Sequence, residues 1–480
     1  MRRAVPTSPR PHASTPYRVD SRVPDPDRQL PRQLGLLDAT MINVGTMIAS
    51  AIFIVPATVA LHAGGSGLMI LAWVVGGAVS LCGAMSVAEL SAALPEEGGQ
   101  YAYLREAYGP LWGFLYGWAT CAVINTASIA AIAVGFATYL GFFTPLGPWG
   151  IRLVAVTSIA LLTGINCLGV RLGATTQNVL TFIKIGALAA LIVAGLLLPG
   201  GAPGNFAPVW PDRPPGSLAG PFGLAMIAVL WAYDGWIEST YVGGEITKPG
   251  RNLPLSIVGS TVIVGVLYVL ANVAYLYVLS PAAMQGSALV AADAARVTLG
   301  AAGATLVTLA ILVSTLGANN GIVLTAARIP YAMAREGLFF GWAARVHPRL
   351  GTPLPALVAQ GIIAVALTFS GTYEELTTYV VFASFLFYAL SAAAVFRLRR
   401  TRPELARPYR TWGYPVTPVV FIGFALWLVV NTIVEAPRDA AIGAGIVLAG
   451  VPAYWWWKRR PSAISRQPSA RGRRSWEADS

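Results

Sequence analysis

Charged side chains are scarce in this chain of 480 residues. Asp, Glu, Lys and Arg make up 11% of it, apolar residues make up 55%, and the mean hydropathy is +0.62. A soluble protein carries about a quarter charged residues. Cysteines are also few: Cys82, Cys121 and Cys167 all lie in apolar stretches, and the three histidines are scattered. These shortages exclude a soluble globular protein, a disulfide framework and a metal site, and no cofactor is expected.

The apolar residues are concentrated in runs that are long enough to cross a bilayer. A hydrocarbon core of about 30 Å requires a helix of about 17 or more apolar residues. Such runs occur at about 36–62, 67–93, 110–140, 150–169, 175–199, 218–243, 254–279, 300–328, 355–372, 375–396, 413–434 and 438–457. They predict an all-α membrane protein with about twelve transmembrane helices. The range is ten to twelve, because only the short link from Ser370 to Glu374 separates two of the runs.

The net charge of +12 is distributed unevenly along the chain. If the N-terminus lies inside, the tails and the links after even-numbered spans hold 28 of the 33 Lys and Arg residues, the other links hold four, and Lys184 lies within a span. The positive-inside rule then predicts a multi-pass protein of the plasma membrane with both termini in the cytoplasm. The same distribution explains the basic pI without a nucleic-acid partner, which we therefore exclude.

Two polar tails flank the apolar region. Residues 1–33 are rich in Pro and Arg and are predicted to form a disordered cytoplasmic tail. They lack the apolar region of a cleaved signal peptide, so the first helix is expected to remain in the mature protein. The transmembrane domain is predicted to cover 34–459, and residues 460–480 form a cytoplasmic C-terminal tail.

Two of the apolar runs contain residues that interrupt a helix. The first interruption reads GTMIASAIFIVP, from Gly45 to Pro56, and the second reads WAYDGW, from Trp231 to Trp236. A break leaves backbone N–H and C=O groups bare, and the membrane tolerates this only where the groups line a cavity or bind something. Two breaks in corresponding positions predict a site for a small polar solute near the bilayer midplane.

The two breaks expose groups of opposite polarity. Free N–H groups at the start of a half-helix attract an anion, and after the first break these belong to Ser50, Ala51 and Ile52. Free carbonyl groups attract a cation. Here they are predicted at Met47, Trp231, Ala232 and Asp234. Donors on one side and acceptors on the other suit a zwitterion such as a free amino acid.

Ionisable residues inside a span are costly and usually functional. The chain has Glu89, Lys184, Asp234 and Glu238 within spans, and Asp38 at the start of the first span. Lys184 has two interpretations. It either extends to the cytoplasmic face, or it donates to carbonyls exposed at the first break, where a fixed cation would replace a bound sodium ion. A buried lysine is also able to release its proton. For Glu89 and Glu238 an interhelical hydrogen bond is the simpler interpretation.

Five segments together carry a family resemblance. They are GTMIASAIFIVP, EEGGQYAYLREAYGPLWGFLYGW (Glu96 to Trp118), WAYDGWIESTYVGGEITKPGRNLP (Trp231 to Pro254), ANVAYLYVLSP (Ala271 to Pro281) and STLGANNGIVLTAARIPYAMAREGLF (Ser314 to Phe339). The chain resembles the amino acid–polyamine–organocation superfamily, and within it the bacterial L-type amino acid transporter-like permeases. The resemblance covers about 33–460. It implies a five-plus-five inverted repeat with broken helices 1 and 6, in which helices 1–5 (about 36–199) oppose helices 6–10 (about 218–396) and helices 11–12 (about 413–457) lie outside.

The resemblance also implies roles for individual residues of the two breaks. The Ser50 and Ala51 amides and the Ser50 hydroxyl would bind the substrate carboxylate. The carbonyls of Met47, Ala232 and Asp234, with that of Trp231, would bind its amine. The Trp231 side chain would cap the bound substrate.

Further roles are implied outside the breaks. Lys184 would take the place of sodium, with the Gly45 carbonyl and Ser314 as its partners. The side-chain pocket would be lined by Cys121, Thr126 and Phe385. The sequence departs from the family at Ala49-Ser50-Ala51, where Gly-Ser-Gly is usual, so two extra methyl groups are expected to crowd the carboxylate site.

The most favoured function is a sodium-independent permease or exchanger that carries neutral amino acids by alternating access. Asp234 and Glu238 leave open a proton-coupled carrier of cationic amino acids or polyamines. A membrane-embedded enzyme, channel or solute sensor is the alternative of another class, but no catalytic or metal spacing and no sensing domain supports it. Animal L-type relatives pair with a glycoprotein through a disulfide. No cysteine lies in the corresponding external link here, so no such partner subunit is expected.

Overall fold

The computed structural model describes residues 30–212, 219–287, 289–369, 373–435 and 437–459. The predicted tails at 1–29 and 460–480, and residues 370–372 of the predicted short link, lie outside the described residues. The α-helices, in chain order, are α1 (Leu36–Met47), α2 (Ala51–Ala63), α3 (Ser66–Ala93), α4 (Gln100–Tyr108), α5 (Pro110–Ala119), α6 (Asn125–Leu140), α7 (Pro148–Cys167), α8 (Val170–Leu197), α9 (Ala219–Tyr233), α10 (Pro249–Val278), α11 (Pro281–Gln285), α12 (Val290–Leu299), α13 (Ala301–Ala326), α14 (Arg328–Arg335), α15 (Leu354–Leu367), α16 (Tyr373–Thr401), α17 (Val416–Glu435) and α18 (Pro437–Lys458).

The chain is an all-helical multi-pass membrane protein. Helices occupy each of the twelve apolar runs. Within the described ranges, eight helical segments are long and apolar enough to cross a membrane, or nine if the bent pair α1–α2 counts as one span. The apolar helices at Gly220–Tyr233 and Leu354–Leu367 are shorter than a full span. The count of about twelve spans and the five-plus-five repeat therefore stay predictions.

The first break separates α1 from α2. The two helices meet at an angle of 42°. The Ile48 N–H donates to the Val44 carbonyl and closes α1, and Ile48 itself has left helical geometry, with φ −77° and ψ 79°. Helix α1 packs against α8, α10 and α13, and α2 packs against α9. The break therefore lies in the middle of the bundle rather than at the lipid boundary.

The second break is longer. Helix α9 ends at Tyr233, and two short 3-10 turns, Glu238–Tyr241 and Gly243–Glu245, precede α10. Gly235 adopts a φ of +114°, which is strained for any residue with a side chain. A Cβ atom there would lie 2.9 Å from Thr46 Cγ2 and 3.0 Å from the Met47 nitrogen. Glycine at this position thus lets the second break approach the first.

A buried ion pair joins the second break to α14. Arg328 Nε lies 2.7 Å from Glu245 Oε1, and both side chains are fully buried. The Leu34 N–H donates to the Glu245 carbonyl at 3.0 Å, so the chain before α1 is tied to the same point. Beside this pair, burial raises the pKa of the half-buried Glu97 carboxyl in the link between α3 and α4. Glu245 raises it further, and Arg335 opposes the shift.

Glu89 joins α3 to the end of α16 and the link beyond it. Its carboxylate lies 2.6 Å from Arg399 Nη2 and accepts from the Thr411 N–H at 2.7 Å. The simpler interpretation of Glu89, an interhelical bond, therefore agrees with the structure.

Candidate functional site

A buried cavity lies between the two breaks. Five of the predicted site residues line it: Met47, Ser50, Ala51, Trp231 and Asp234. Its remaining walls are formed by Thr46, Ala49, Gln100, Tyr116, Ile124, Asn125, Ser128, Ile132, Gly235, Glu238, Tyr241, Ile322, Ser384 and Tyr388. Ala49 and Ala51, the two positions at which the family resemblance implies glycine, are thus part of the wall.

Free donors occupy the α2 side of the cavity. Ser50 is the N-cap of α2, and the N–H groups of Ser50, Ala51 and Ile52 make no hydrogen bond to any described residue. Ser50 is buried, with 2% of its surface exposed. Because the helix dipole also places positive potential at this end, these groups can bind an anion without displacing another partner.

The carbonyl side is less open than the sequence predicts, because Tyr268 of α10 occupies part of it. The Tyr268 hydroxyl lies 2.6 Å from the Met47 carbonyl and 3.1 Å from the Ala232 carbonyl, and it donates its single proton between them. The Trp231 carbonyl accepts from the Asp234 N–H at 3.2 Å. Of the four predicted carbonyls, only that of Asp234 accepts no hydrogen bond from the described residues.

Lys184 lies behind the first break and is fully buried. Its Nζ donates to the carbonyls of Gly45 at 2.7 Å, Ile48 at 2.9 Å and Ser314 at 2.9 Å. An ammonium has three protons, so all of them are used. The structure thus brings Lys184, Gly45 and Ser314 together and adds Ile48, which the sequence analysis missed. The Ser314 hydroxyl also donates to Ile48, at 2.8 Å.

The ammonium fits because α13 has a glycine opposite it. A Cβ atom on Gly317 would lie 2.9 Å from both Cε and Nζ of Lys184. No carboxylate lies within ion-pair distance of Lys184 in the described chain. The first break and the buried charge therefore depend on each other: the break supplies two of the three acceptors, the Gly45 and Ile48 carbonyls, and neither of these accepts from a backbone N–H of the described residues.

Two carboxyl groups line the cavity on the side of the second break. The Asp234 carboxylate accepts from the Tyr388 hydroxyl at 2.6 Å and from the Gly235 N–H at 3.0 Å. Glu238 accepts from the Thr325 hydroxyl, in line with the interhelical bond expected for it. Within the described ranges there is no group of three or more His, Cys, Asp or Glu side chains that would hold a metal.

Four of the nine predicted substrate-binding residues do not line this cavity. Ala232 is buried behind it, with its carbonyl bonded to Tyr268. Cys121 and Thr126 line a second, apolar cavity between the start of α6 and α15. A π-helical turn at Thr120–Ile124 contains Cys121, and its extra residue rotates the side chains that follow it, Thr126 among them, relative to a regular helix. Phe385 is buried and packs edge-on against Tyr388.

The residues that line the cavity in their place were missed. From α6 and the turn before it these are Ile124, Asn125, Ser128 and Ile132, and from α16 they are Ser384 and Tyr388. Asn125 Nδ2 and Ser384 Oγ are buried and have no hydrogen-bond partner among the described residues. Polar side chains in apolar runs were the available signal for them, since a buried amide or hydroxyl normally has a partner.

A buried cavity between two broken helices, with free donors on one wall and carboxyl groups on the other, is characteristic of a membrane carrier for small polar solutes. The sequence profile of the amino acid permease family matches residues 34–456. The chain belongs to this family, and the predicted membership of the amino acid–polyamine–organocation superfamily is confirmed.

Individual relatives cover most of the chain. Human large neutral amino acids transporter small subunit 2 is 34% identical over 91% of this chain and 83% of its own length. Mouse b(0,+)-type amino acid transporter 1 is 34% identical over 85% of this chain and 84% of its own length. The serine/threonine exchanger SteT of Bacillus subtilis (strain 168) is 31% identical over 91% of this chain and 99% of its own length. These names describe transporters, not enzymes.

Proposed function

We propose that this permease exchanges neutral amino acids across the plasma membrane by alternating access and without sodium. The single observation that carries the proposal is the pair of free N–H groups at Ser50 and Ala51, two residues of the cavity wall that Asp234 and Glu238 also line. The donors suit a carboxylate, and the free Asp234 carbonyl suits an ammonium group. Trp231, on the cavity wall, is in a position to cap the substrate.

Neutral substrates are favoured by what the rest of the cavity offers. Its other walls carry small, apolar or uncharged polar groups, such as Ile124, Ser128 and Ile322. Two of the relatives are named for large neutral amino acids and for serine and threonine. The carboxyl groups are already engaged by Tyr388 and Thr325, so a neutral side chain does not leave them without partners.

Independence from sodium is inferred from Lys184. Its ammonium makes three hydrogen bonds, two to the Gly45 and Ile48 carbonyls of the first break and one to the Ser314 carbonyl of α13. A sodium ion there would need the same oxygens and would meet a like charge. The lysine therefore acts as a fixed cation, and we propose that transport proceeds as exchange.

The test is uptake of labelled amino acids into proteoliposomes that contain the purified protein. We expect saturable uptake of neutral amino acids that internal neutral amino acid accelerates and that a sodium gradient leaves unchanged. Stimulation by sodium alone would contradict the role of Lys184. Release of a chemically altered compound would indicate an enzyme, and uptake that never saturates would indicate a channel.

Cationic amino acids or polyamines are the second candidate, and a specific observation favours them. Asp234 and Glu238 both face the cavity, and no cation pairs with either within the described chain. Competition by arginine, lysine and putrescine against a labelled neutral substrate decides between the candidates. Strong inhibition by the cations, together with uptake driven by an inward proton gradient, would favour the second one.

We further propose that both termini lie in the cytoplasm and that the carrier works without a disulfide-linked partner subunit. The charge distribution supports the first statement. For the second, the three cysteines are free, and none lies in the link between α6 and α7.

A further inference from the structure

A surface pocket lies where α10 begins, outside the substrate cavity. One wall is the start of α10 with the residue before it, and the other is the link between α16 and α17. The pocket is lined by Lys248, Pro249, Gly250, Arg251, Pro254, Leu255, Val258, Pro408 and Tyr409. The walls touch at one point, since a Cβ atom on Gly250 would lie 3.1 Å from Pro408 Cγ.

The head of this pocket is basic and its charge is not neutralised. Lys248 and Arg251 are both exposed. Neither side chain makes an ion pair or hydrogen bond with a described residue, and no acidic residue lines the pocket. Because α10 is long and apolar enough to cross a membrane, we expect the two free cations at its start to lie at the level of the lipid headgroups.

The floor of the pocket continues into an apolar stripe on α10. Leu255, Val262 and Val266 are 49%, 46% and 55% exposed, and Val258 lies between them. Their spacing from Arg251 of four, eleven and fifteen residues places them on the same face of the helix. This face is not covered by the bundle, so it is open to lipid along the direction in which α10 enters the membrane.

We propose that this pocket binds one anionic phospholipid. Lys248 and Arg251 hold its phosphate, and one acyl chain lies along Leu255, Val258, Val262 and Val266. The two unpaired cations and the apolar stripe together identify the occupant. A free phosphate has no acyl chain to pack on the stripe, and a zwitterionic lipid has no net negative charge to neutralise the two cations. A lipid bound here contacts both α10 and the link between α16 and α17.

The first experiment uses the wild-type protein in phosphatidylcholine nanodiscs doped with a phosphatidylglycerol that has a photoreactive acyl chain. After irradiation, peptide mapping is expected to find the lipid cross-linked mainly to residues within the range 255–266. A main cross-link elsewhere, or equal labelling by the corresponding phosphatidylcholine probe, overturns the proposal.

The second experiment measures phosphatidylglycerol retained on the purified protein, by native mass spectrometry, for Lys248→Gln/Arg251→Gln. Each basic residue at a membrane surface contributes about 1 kcal/mol to the binding of an anionic lipid, so retention is expected to weaken roughly tenfold to thirtyfold. Arg251→Lys, which keeps the charge, should retain most of the binding. Added inorganic phosphate should not compete, and competition by it would show a free-anion site instead.

The matched control is Arg345→Gln/Arg349→Gln. These two arginines precede α15, are also exposed, and likewise make no side-chain bond to a described residue. This variant removes the same net charge and should keep wild-type retention. An equal loss in both double variants would mean that the lipid responds to total charge and not to the pocket.

Discussion

The two breaks differ in length and in what satisfies their backbone groups. The first is abrupt, and its carbonyls bind the ammonium of Lys184 while its N–H groups stay free. The second extends from Asp234 to Lys248 through two 3-10 turns, and it presents carboxyl groups and a carbonyl to the cavity. Side chains from other helices stabilise both breaks: Lys184 and Tyr268 donate to carbonyls of the first, and Tyr388 and Thr325 donate to carboxyl groups of the second. The difference is that a buried charge lies behind the first break, whereas neutral hydroxyl groups hold the carboxyl groups of the second.

Lys184→Ala should have the largest effect, because it removes the cation on which the first break depends. Hydrogen bonds of a charged donor contribute about 1.5–3 kcal/mol each, so three buried carbonyls lose substantial stabilisation and transport should fall about 100-fold or more. Exchange in proteoliposomes and thermal unfolding in detergent check this. Gly186→Ala on the same helix is the control, since a Cβ atom there meets nothing within 4 Å. Transport near the wild-type rate in the alanine variant would contradict the dependence of the break on the charge.

Gly317→Ala tests the same contact without removing the lysine. The new methyl group would lie 2.9 Å from Nζ and must push the ammonium away from its carbonyls. The loss of one or two of these bonds should slow exchange about tenfold. The exchange rate of Gly317→Ala is measured in parallel with that of Gly186→Ala. Equal rates in the two variants would show that the Lys184 side chain can shift without losing its carbonyl partners.

Tyr268→Phe tests the acceptor side. The ring still packs against Trp73 and Tyr233, but the Met47 and Ala232 carbonyls lose their hydroxyl partner. An unsatisfied buried group costs about 1–3 kcal/mol, so we expect the half-saturating substrate concentration or the exchange rate to change about tenfold.

Tyr275→Phe is its matched control on the same helix. The Tyr275 hydroxyl is buried and makes no hydrogen bond to a described residue, so its removal should leave transport unchanged. An equal response in both tyrosine variants would assign the effect to packing rather than to the bridge between the breaks.

Ala51→Gly should widen the donor side. Ala51 lies on the cavity wall, at a position where the family resemblance implies glycine, so removal of its methyl group should admit bulkier amino acids in a competition screen. The helix cost is about 1 kcal/mol, and some loss of yield is expected. Ala57→Gly, further along α2 and away from the cavity, has the same cost and should leave the substrate profile unchanged. A profile that stays the same in Ala51→Gly would show that this methyl group does not limit substrate size.

The smallest effect is expected at Glu97, next to the far end of the second break. Burial raises the pKa of this carboxyl in the folded protein. The folded state therefore binds the proton more tightly than the unfolded state, and stability falls as pH rises from the usual value of 4.5 through the raised pKa. Glu97→Gln should remove this dependence and raise the melting temperature at neutral pH by about 1–2 °C. If the melting temperatures of the wild type and of Glu97→Gln changed with pH in the same way, the role of Glu97 would be contradicted.

The sequence predicts the parts of the site that are formed by residue types uncommon within an apolar membrane span. A lone lysine in an apolar run, and small residues next to Pro56 or Asp234, are visible without a structure because each is costly inside a membrane. Tyr268 gives no such signal, since a tyrosine suits an apolar span and its direction depends on how α10 packs. The position of Cys121 and Thr126 at the second cavity is equally hidden in the sequence. The π-helical turn before α6 changes the angular position of every later side chain, and it is not visible in residue spacing.

The unpaired charge of Lys184 has an electrical consequence. A membrane potential of about 100 mV contributes about 2.3 kcal/mol for each elementary charge that crosses, equivalent to about 50-fold accumulation. The lysine stays with the protein, so exchange of one zwitterion for another moves no net charge, and the potential neither drives nor opposes it. A cationic substrate taken up in exchange for a neutral one would instead be drawn inward by the potential. A current across a planar bilayer would thus show that the cavity, with the Asp234 and Glu238 carboxyl groups, accepts cationic substrates.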